Sequence, residues 1–329
     1  METLLATLTP MLTLFFCIAL GFGATKAKLL PDNASKTMAK LETWIFVPAL
    51  NIATMMRFST VESISAHATN IILAAICVGI AIAIAIPLAR LFVKEGGSEL
   101  GIYSYALAFA NSGYMGDPIV LSMFGDEVLA YYKLFCIPVN ILIYTWGASV
   151  LTPTSENSGN PLKKLLNPPT ISIFIGVALG LVNAGSFLPV FFTSALDSLK
   201  VCMGPVAMLL AGVTVAKFDV LEMLKNKKVY IATALRLLVI PSVLVGVLFG
   251  IKTLANFAFG LSIGNDVLFL CFFSTGAALG LNTIIFPEAY GGNPKTGASM
   301  AMISHSLCVI TIPIMYTLLT LIFGVPFGG

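Results

Sequence analysis

The sequence predicts an all-α polytopic membrane protein in which ten transmembrane helices form two inverted five-helix repeats. Three observations lead to this prediction: an apolar composition, ten apolar segments, and sequence patterns shared by the two halves. Of the 329 residues, 58% are hydrophobic and 10% are charged, whereas a soluble domain carries about 25% charged residues. Most of the chain is therefore expected to face lipid.

Ten segments have the length of about 20 mostly apolar residues that a membrane-spanning helix needs. They are residues 4–25, 36–57, 68–92, 99–124, 128–151, 168–187, 193–216, 228–250, 265–288 and 297–323. All six cysteines lie within these runs and show no metal-binding spacing. We interpret them as small buried hydrophobic residues and expect no metal site.

The second half of the chain repeats the first in the same order. The stretch TPMLTLFFCIALGFG (9–23) aligns with PPTISIFIGVALGLV (168–182), and FANSGYMGDP (109–118) aligns with FSTGAALGLN (273–282). Since five is an odd number of spans, the second repeat must enter the membrane from the opposite side. Inverted repeats of this kind are a common plan of secondary transporters.

Positive charge predicts the orientation. The loops after odd-numbered segments hold thirteen Lys or Arg: Lys26, Lys28, Lys36, Lys40, Arg90, Lys94, Lys163, Lys164, Lys217, Lys225, Lys227, Lys228 and Lys295. The opposite loops hold Arg57 and Lys252, so the positive-inside rule places both termini on the extracellular or periplasmic side of the plasma membrane. The chain divides into a first repeat, a cytoplasmic linker and a second repeat: 1–151, 152–167 and 168–329.

Segments four and nine are each interrupted near the middle by small and polar residues. Asn111 lies about 18 Å along a helix from Glu99, and Thr275 lies about 15 Å from Asp266. Both depths are close to the centre of a hydrocarbon core about 30 Å thick. Backbone at this depth must be satisfied by protein or by a water-lined cavity, so we expect the breaks to serve a binding site.

We expect that site to bind an anion. A helix that restarts after a break presents free N–H groups and partial positive charge. Pro118 suits the first turn of the restarted half of segment four, and Asn282 or Thr283 suits the N-cap in segment nine. Side-chain donors and close backbone approach are expected from Asn111, Ser112, Gly113, Gly116, Ser274, Thr275, Gly276 and Gly280. The alternative is that each kink serves helix packing alone.

Ionisable residues inside membrane segments are candidates for function. Asp117 could bind a coupling proton or cation, or it could cap the half-helix. His305 could relay protons, or it could be a hydrogen-bonded packing residue. Arg236 could snorkel to the cytoplasmic face, or it could attract substrate.

Three further polar positions have plainer interpretations. Glu42 is expected at the interface, solvated or paired with a nearby lysine. Asp197 and Lys200, three residues apart, are expected to form a surface ion pair. Asn51 follows Pro48 by three residues, and either satisfies a freed carbonyl or lines the pathway.

Four stretches resemble the auxin efflux carrier family of permeases, which includes bacterial organic-acid permeases. They are WIFVPALNIATM (44–55), FANSGYMGDPIVLSMFG (109–125), FPEAYGGNP (286–294) and VITIPI (309–314). The resemblance implies a scaffold of helices one, two, six and seven, and an elevator-like motion of the domain that holds crossover helices four and nine. It also implies carboxylate substrates, with Asn111 and Pro118 in the first crossover and Asn140 and Tyr144 on helix five near the substrate. Plant members have proline at the second crossover, whereas STGAALG has none.

The sequence thus predicts a secondary transporter of a small organic anion, a mono- or dicarboxylate. It contains no G-x-S-x-G, H-E-x-x-H or Walker A motif, so we expect no enzyme, no cofactor and no nucleic-acid partner. The expected partners are the lipid bilayer, a proton or sodium as coupling ion, and a second copy in a homodimer, which exposed apolar scaffold faces would permit. The alternatives are a sodium-coupled bile-acid-type symporter and a non-transporting membrane sensor.

Overall fold

The computed structural model describes residues 2–151, 168–290 and 294–327, and every regular element in this part of the chain is helical. The α-helices are α1 (Glu2–Lys26), α2 (Ala34–Leu41), α3 (Val47–Phe58), α4 (Val61–Phe92), α5 (Ser98–Ala108), α6 (Asp117–Phe135), α7 (Ile137–Leu142), α8 (Ala148–Leu151), α9 (Pro168–Leu181), α10 (Val190–Lys200), α11 (Met203–Ala216), α12 (Val220–Leu224), α13 (Lys227–Ala234), α14 (Ile240–Phe259), α15 (Asp266–Thr275), α16 (Asn282–Tyr290) and α17 (Lys295–Phe323). The predicted linker, residues 152–167, lies outside the described residues.

By length and apolar composition, several of these helices qualify as membrane spans. Four continuous runs do so: Val61–Phe92, Val190–Ala216, Lys227–Phe259 and Lys295–Phe323. A fifth candidate is a pair of runs that bend by 52° at their junction: Ser112–Phe135 and Ile137–Leu151. The described chain is therefore all-helical with four or five span candidates, and the ten-span inverted repeat stays a prediction.

Three prolines are each preceded by the same local structure, a π-helical turn. A π-helical turn of five residues ends two residues before each of Pro48, Pro118 and Pro241. These turns are Glu42–Phe46, Ser112–Gly116 and Leu235–Val239. Proline lacks an N–H, and its ring clashes with the carbonyl four residues earlier, but a wider turn accommodates the ring. Each helix therefore continues past its proline in a shifted register.

Two helix pairs make the most extensive packing contacts among the described elements. α1 packs on α11, where a Cβ at Gly212 would collide with the backbone carbonyl of Ile18. α3 packs on α9, where a Cβ at Gly180 would lie 2.6 Å from the carbonyl oxygen of Met55. Small residues let membrane helices approach closely. Each pair joins a helix of the predicted first repeat to a helix of the second.

Two short buried helices, α5 and α15, lie at the centre of the fold. Every residue of α5 from Gly101 to Ala108 is buried, as is every residue of α15 from Val267 to Thr275. α5 has 11 residues and α15 has 10, which gives lengths of about 16 Å and 15 Å. Each is about half the thickness of a bilayer core, so both stop near the middle of the molecule.

Candidate binding site

The breaks in segments four and nine contact each other. Ala110 and Leu279 form an isolated antiparallel bridge, and the N–H of Asn111 donates to the carbonyl of Ala278 at 2.8 Å. The N–H of Leu279 donates to the hydroxyl of Ser304 on α17 at 3.1 Å. Backbone groups freed by the breaks are thus satisfied by each other and by one side chain, as the membrane interior requires.

Tyr132 joins the two breaks through one hydroxyl group. Its oxygen lies 3.1 Å from the carbonyl oxygen of Ser112 and 3.2 Å from that of Phe273. A Cβ at Gly116 would collide with this hydroxyl, so glycine at position 116 leaves room for the contact. Sequence reasoning missed Tyr132, because nothing in its surroundings distinguishes it from a packing aromatic residue.

The restarted half of segment four begins earlier than predicted. Helical geometry resumes at Ser112, and the carbonyl of Asn111 accepts the N–H groups of Met115 and Gly116, each at 3.1 Å. Pro118 therefore lies in the second turn and not in the first. The physical reason is the π-helical turn, which accommodates the proline ring inside a continuing helix.

The restarted half of segment nine also differs from the prediction. α16 begins at Asn282, and the carbonyl of Leu281 accepts the N–H of Ile285 at 2.9 Å. Leu281 therefore occupies the cap position that was predicted for Asn282 or Thr283. The side chain of Asn282 does not cap, because its amide donates to the hydroxyl of Tyr105 at 2.8 Å.

A cavity lies between the paired breaks and the helices α3, α9 and α11. Its free volume is about 30 Å³, room for about two water molecules. Its polar lining residues are Asn51, Asn111, Ser112, Tyr114, Asp117, Lys133, Asn140, Tyr144 and Asn282. Ser112, Gly113 and Tyr114 form the first turn of the restarted helix, where N–H groups have no intrahelical partner. This wall therefore carries partial positive charge.

The cavity wall contains a buried ion pair between Lys133 and Asp117. The Nζ of Lys133 donates to the carboxylate of Asp117, and their side chains are 5% and 3% exposed. A straight helix would separate the two residues by about 24 Å, so the contact requires the chain to reverse at Gly125, whose φ is 83°. Asp117 pairs with Lys133 instead of capping the helix. Lys133 was not predicted as a site residue from the sequence. The pattern that could have indicated it is that Asp117 and Lys133 lie at equal distances along the chain on either side of Gly125.

Asn111 and His305 form a buried pair behind the cavity. The Nδ2 of Asn111 lies 3.1 Å from Nε2 of His305, and Nδ1 of His305 lies 2.7 Å from the carbonyl oxygen of Ala301. His305 does not line the cavity but contacts a residue that does. The structure therefore gives His305 the hydrogen bonds expected of a packing histidine, and its role as a proton relay stays a prediction.

The snorkelling prediction for Arg236 is wrong. Arg236 is fully buried, and its Nη1 donates to the carbonyl of Leu107 at 3.2 Å. α5 ends one residue later, at Ala108, and the last carbonyls of a helix lack intrahelical partners. Because a cation is stabilised at a helix C-terminus, the guanidinium turns inward to the break.

Two other interpretations of charged residues are also corrected. Glu42 is buried, and its carboxyl oxygens have no hydrogen-bond partner in the part of the chain that the structure describes. The π-helical turn that contains it packs against α11, which removes it from the interface. Asp197 pairs with Arg57 at 3.2 Å and Lys200 with Asp126 at 2.6 Å, because partners on other helices lie closer than the i+3 neighbour.

The predicted site residues fall into two sets. Those that line the cavity are Asn111, Ser112, Gly113, Asp117, Asn140, Tyr144, Gly280 and Asn282. Those outside its lining are Gly116, Pro118, Ser274, Thr275, Gly276 and His305. The hydroxyls of Ser274 and Thr275 donate to the carbonyl of Cys271 in their own helix, at 2.9 Å and 2.6 Å. Asn51, whose role was left open, lines the cavity and also bonds to α9.

The chain is similar to a known family of proteins. A family model described as membrane transport protein matches residues 6–160 and 157–316. The two matched stretches meet inside the predicted linker. No curated protein was found to match the chain.

Proposed function

The chain belongs to the membrane transport protein family, that of the auxin efflux carriers, and from this membership we propose that it is a secondary transporter of a small organic anion, a mono- or dicarboxylate. The match confirms the resemblance read from the four sequence stretches. It fits a multi-pass membrane protein of a transporter family. It supports neither a bile-acid-type symporter nor a sensor.

The observation that carries the proposal is the convergence of positive groups on one buried cavity. The first turn of the restarted helix, from Ser112, presents N–H groups that have no intrahelical partner. Lys133 adds an ammonium to the same wall; Asp117 balances its charge and takes one of its N–H donors, which leaves the others for a substrate. An anion inside a membrane needs such compensation, and both the helix N-terminus and an ammonium supply it.

We infer alternating access of an elevator type from the origin of the cavity walls. Val47, Asn51, Pro169, Ile173 and Met203 lie on segments two, six and seven of the proposed scaffold, and the remaining lining residues lie on segments four, five and nine. A free volume of about 30 Å³ is too small for an organic acid. The two groups of helices must therefore separate to admit the substrate.

The proposed scaffold is supported by its own packing. Segment one packs on seven through α1 and α11, and segment two packs on six through α3 and α9. If segments six and seven repeat segments one and two, the contact of one with seven corresponds to the contact of six with two. The two contacts are then related by the repeat. We place this ten-span protein in the plasma membrane with both termini outside, and propose the exposed scaffold faces as the interface of a homodimer.

Coupling, by a proton or by sodium, is proposed at Asp117 or His305. Asp117 competes with a substrate carboxylate for Lys133, so its neutralisation would release Lys133 for substrate. His305 contacts the cavity only through Asn111. Asp117 is therefore the more direct candidate of the two.

The test is charge movement on a solid-supported membrane that carries purified protein, with a panel of mono- and dicarboxylates, with and without sodium, at two pH values. We expect a substrate-specific current in the wild type. Asp117→Asn should bind the anion at least as tightly, because a competitor for Lys133 is gone. The double variant Asp117→Asn/Lys133→Met, which leaves no buried charge unpaired, should lose at least about tenfold in affinity.

Lys252→Met is the matched control. The Nζ of Lys252 donates to the side-chain oxygen of Asn265 at 2.5 Å, and Lys252 does not line the cavity. This variant should keep the wild-type current. Folded protein that responds to no carboxylate, or a double variant with wild-type affinity, would contradict an anion site at this cavity.

A further inference from the structure

Three asparagines in the cavity wall have acceptor oxygens without a partner. The side-chain oxygens of Asn51, Asn111 and Asn282 are buried and have no hydrogen-bond partner within the described ranges, and all three residues line the cavity. The amide of Asn282 contacts the hydroxyl of Tyr105, which can donate or accept, so only Asn51 and Asn111 have partners that fix the orientation of the amide. The nitrogen and oxygen of an amide can exchange places by a flip of the group. The orientation of each amide must therefore be established from its partners.

His305 fixes the orientation of Asn111. The Nδ1 of His305 lies 2.7 Å from the carbonyl oxygen of Ala301, which can only accept, so Nδ1 carries a proton. The ring is buried, and no carboxylate among the described residues bonds to it, so it is neutral. Its Nε2 is then an acceptor, and the amide nitrogen of Asn111 must donate to it. The oxygen of Asn111 is the group left free.

The contacts of Asn51 with α9 fix the orientation of its side-chain amide. Its Nδ2 lies 3.1 Å from the carbonyl oxygen of Pro169 and 3.0 Å from the hydroxyl oxygen of Ser172. The hydroxyl of Ser172 donates its own hydrogen to the Pro169 carbonyl at 2.8 Å, so it can only accept from Asn51. Both contacts require the amide nitrogen, which again leaves the oxygen free.

The charges of the cavity add a second constraint on the ligand. Among the described residues that line the cavity, Asp117 and Lys133 are the only Asp, Glu, Lys or Arg, so the two charges cancel. Lys133 has three N–H donors, and Asp117 takes one, which leaves capacity for one substrate carboxylate. The oxygens of Asn51 and Asn111 are acceptors without a partner, and at their position they repel a second carboxylate but attract a donor.

We propose that the substrate is a small carboxylic acid with a hydrogen-bond donor, a hydroxyl or an ammonium, on the carbon next to the carboxylate. Lys133 and the restarted helix hold the carboxylate, and the oxygens of Asn111 and Asn51 accept from the donor. An acid without a donor leaves these buried oxygens unsatisfied, which lowers its affinity by at least about tenfold. The inference rests on the proposed function, because it takes this cavity as the transport site.

The test measures binding of matched acids to purified protein in lipid nanodiscs by isothermal titration calorimetry. Propanoate, lactate and alanine share a three-carbon skeleton, and succinate, malate and aspartate share a four-carbon skeleton. At least one donor-bearing acid in each series should bind about tenfold or more tightly than the acid without a donor, and the comparison of hydroxyl with ammonium identifies the source of the donor. Equal affinities within both series would overturn the inference and leave the proposed anion carrier intact.

Variants locate the preference at the asparagine oxygen. Asn111→Leu should lower the preference for donor-bearing acids at least about twofold, since it removes one of the two acceptors. Asn70→Leu is the matched control: it removes an asparagine–histidine contact of 3.2 Å, to His67 on α4, outside the cavity, and should keep the full preference. An undiminished preference in folded Asn111→Leu would contradict the assignment. Failure of every acid to bind the wild type would instead contradict the proposed function.

Discussion

Tyr132 contacts both broken segments through a single oxygen, whereas its neighbour Tyr131 uses its hydroxyl on the surface. The hydroxyl of Tyr131 donates to the exposed carboxylate of Glu127 at 2.5 Å, and that of Tyr132 serves buried carbonyls of Ser112 and Phe273. A buried carbonyl that loses its partner cannot turn to water. Loss of the hydroxyl oxygen should therefore cost more stability at Tyr132 than at Tyr131.

We expect Tyr132→Phe to lower the free energy of unfolding by about 1–3 kcal/mol, because a buried carbonyl is left unsatisfied. Tyr131→Phe should stay within about 0.5 kcal/mol of the wild type, as surface changes do. Melting temperatures of the purified variants, measured side by side in one detergent, check the difference. Equal shifts for the two variants would argue against a structural role of the buried hydroxyl.

At the scale of single residues, the sequence predicts the break but not its partners. Asn111, Ser112 and Gly113 stand out because polar and small residues interrupt an apolar run. Lys133 lies inside another apolar run, and its meeting with Asp117 depends on a chain reversal at Gly125. Spacing along a helix, which sequence patterns report, does not describe contacts across such a reversal.

Helix register is where sequence interpretation and structure differ at the scale of elements. Proline in the first turn of a helix is the usual pattern, and it suggested that segment four restarts at Pro118. In the structure, Pro118 instead lies inside a continuing helix, and a π-helical turn before it makes room for its ring. A π-helical turn also precedes Pro48 and Pro241. Hydrophobic periodicity alone does not distinguish a kinked helix from an interrupted one.

The α1–α11 contact yields a prediction about packing. Gly212→Ala should cost about 1–3 kcal/mol, as overpacking does, because the new Cβ collides with the backbone of α1 at Ile18. Gly246→Ala on α14 is the control, since a Cβ there meets nothing within 4 Å, and it should be neutral or stabilising by up to about 1 kcal/mol. Melting temperatures of the two variants in detergent check this; a stable Gly212→Ala would mean that the pair is not held by close approach.

At the scale of the whole molecule, ion pairs join the proposed scaffold to the proposed moving part at both ends. At the predicted extracellular end, Asp126 pairs with Lys200 at 2.6 Å and lies 3.8 Å from Arg57. At the predicted cytoplasmic end, Lys217 pairs with Glu288 at 3.0 Å. The sequence predicted the ends at which Arg57 and Lys217 lie but not these partners, because they depend on how distant helices pack.

We predict that the outer pairs restrict access from outside. Ser122 lines a cavity of about 230 Å³ near Lys200, so Ser122→Cys, without the native cysteines, reports access to a membrane-impermeant maleimide. Asp126→Asn should raise its labelling rate about two- to fivefold, since a partly exposed pair is worth about 0.2–1 kcal/mol. Glu288→Gln should lower the rate by a similar factor.

Glu62→Gln is the control for these variants, because Glu62 forms no ion pair within the described residues. It should leave the labelling rate unchanged. A change of the same sign in Asp126→Asn and Glu288→Gln would show that the two ends do not oppose each other.

The presence of closed ion pairs at both ends gives the protein a dependence on ionic strength. Salt shortens the screening length from about 8 Å at 0.15 M to about 3 Å at 1 M, and these pairs are partly exposed. An inert salt such as choline chloride should weaken both ends together, which lowers the barrier between inward and outward states without favouring either. Turnover should then rise with salt when no sodium is present, and this acceleration separates screening from sodium coupling.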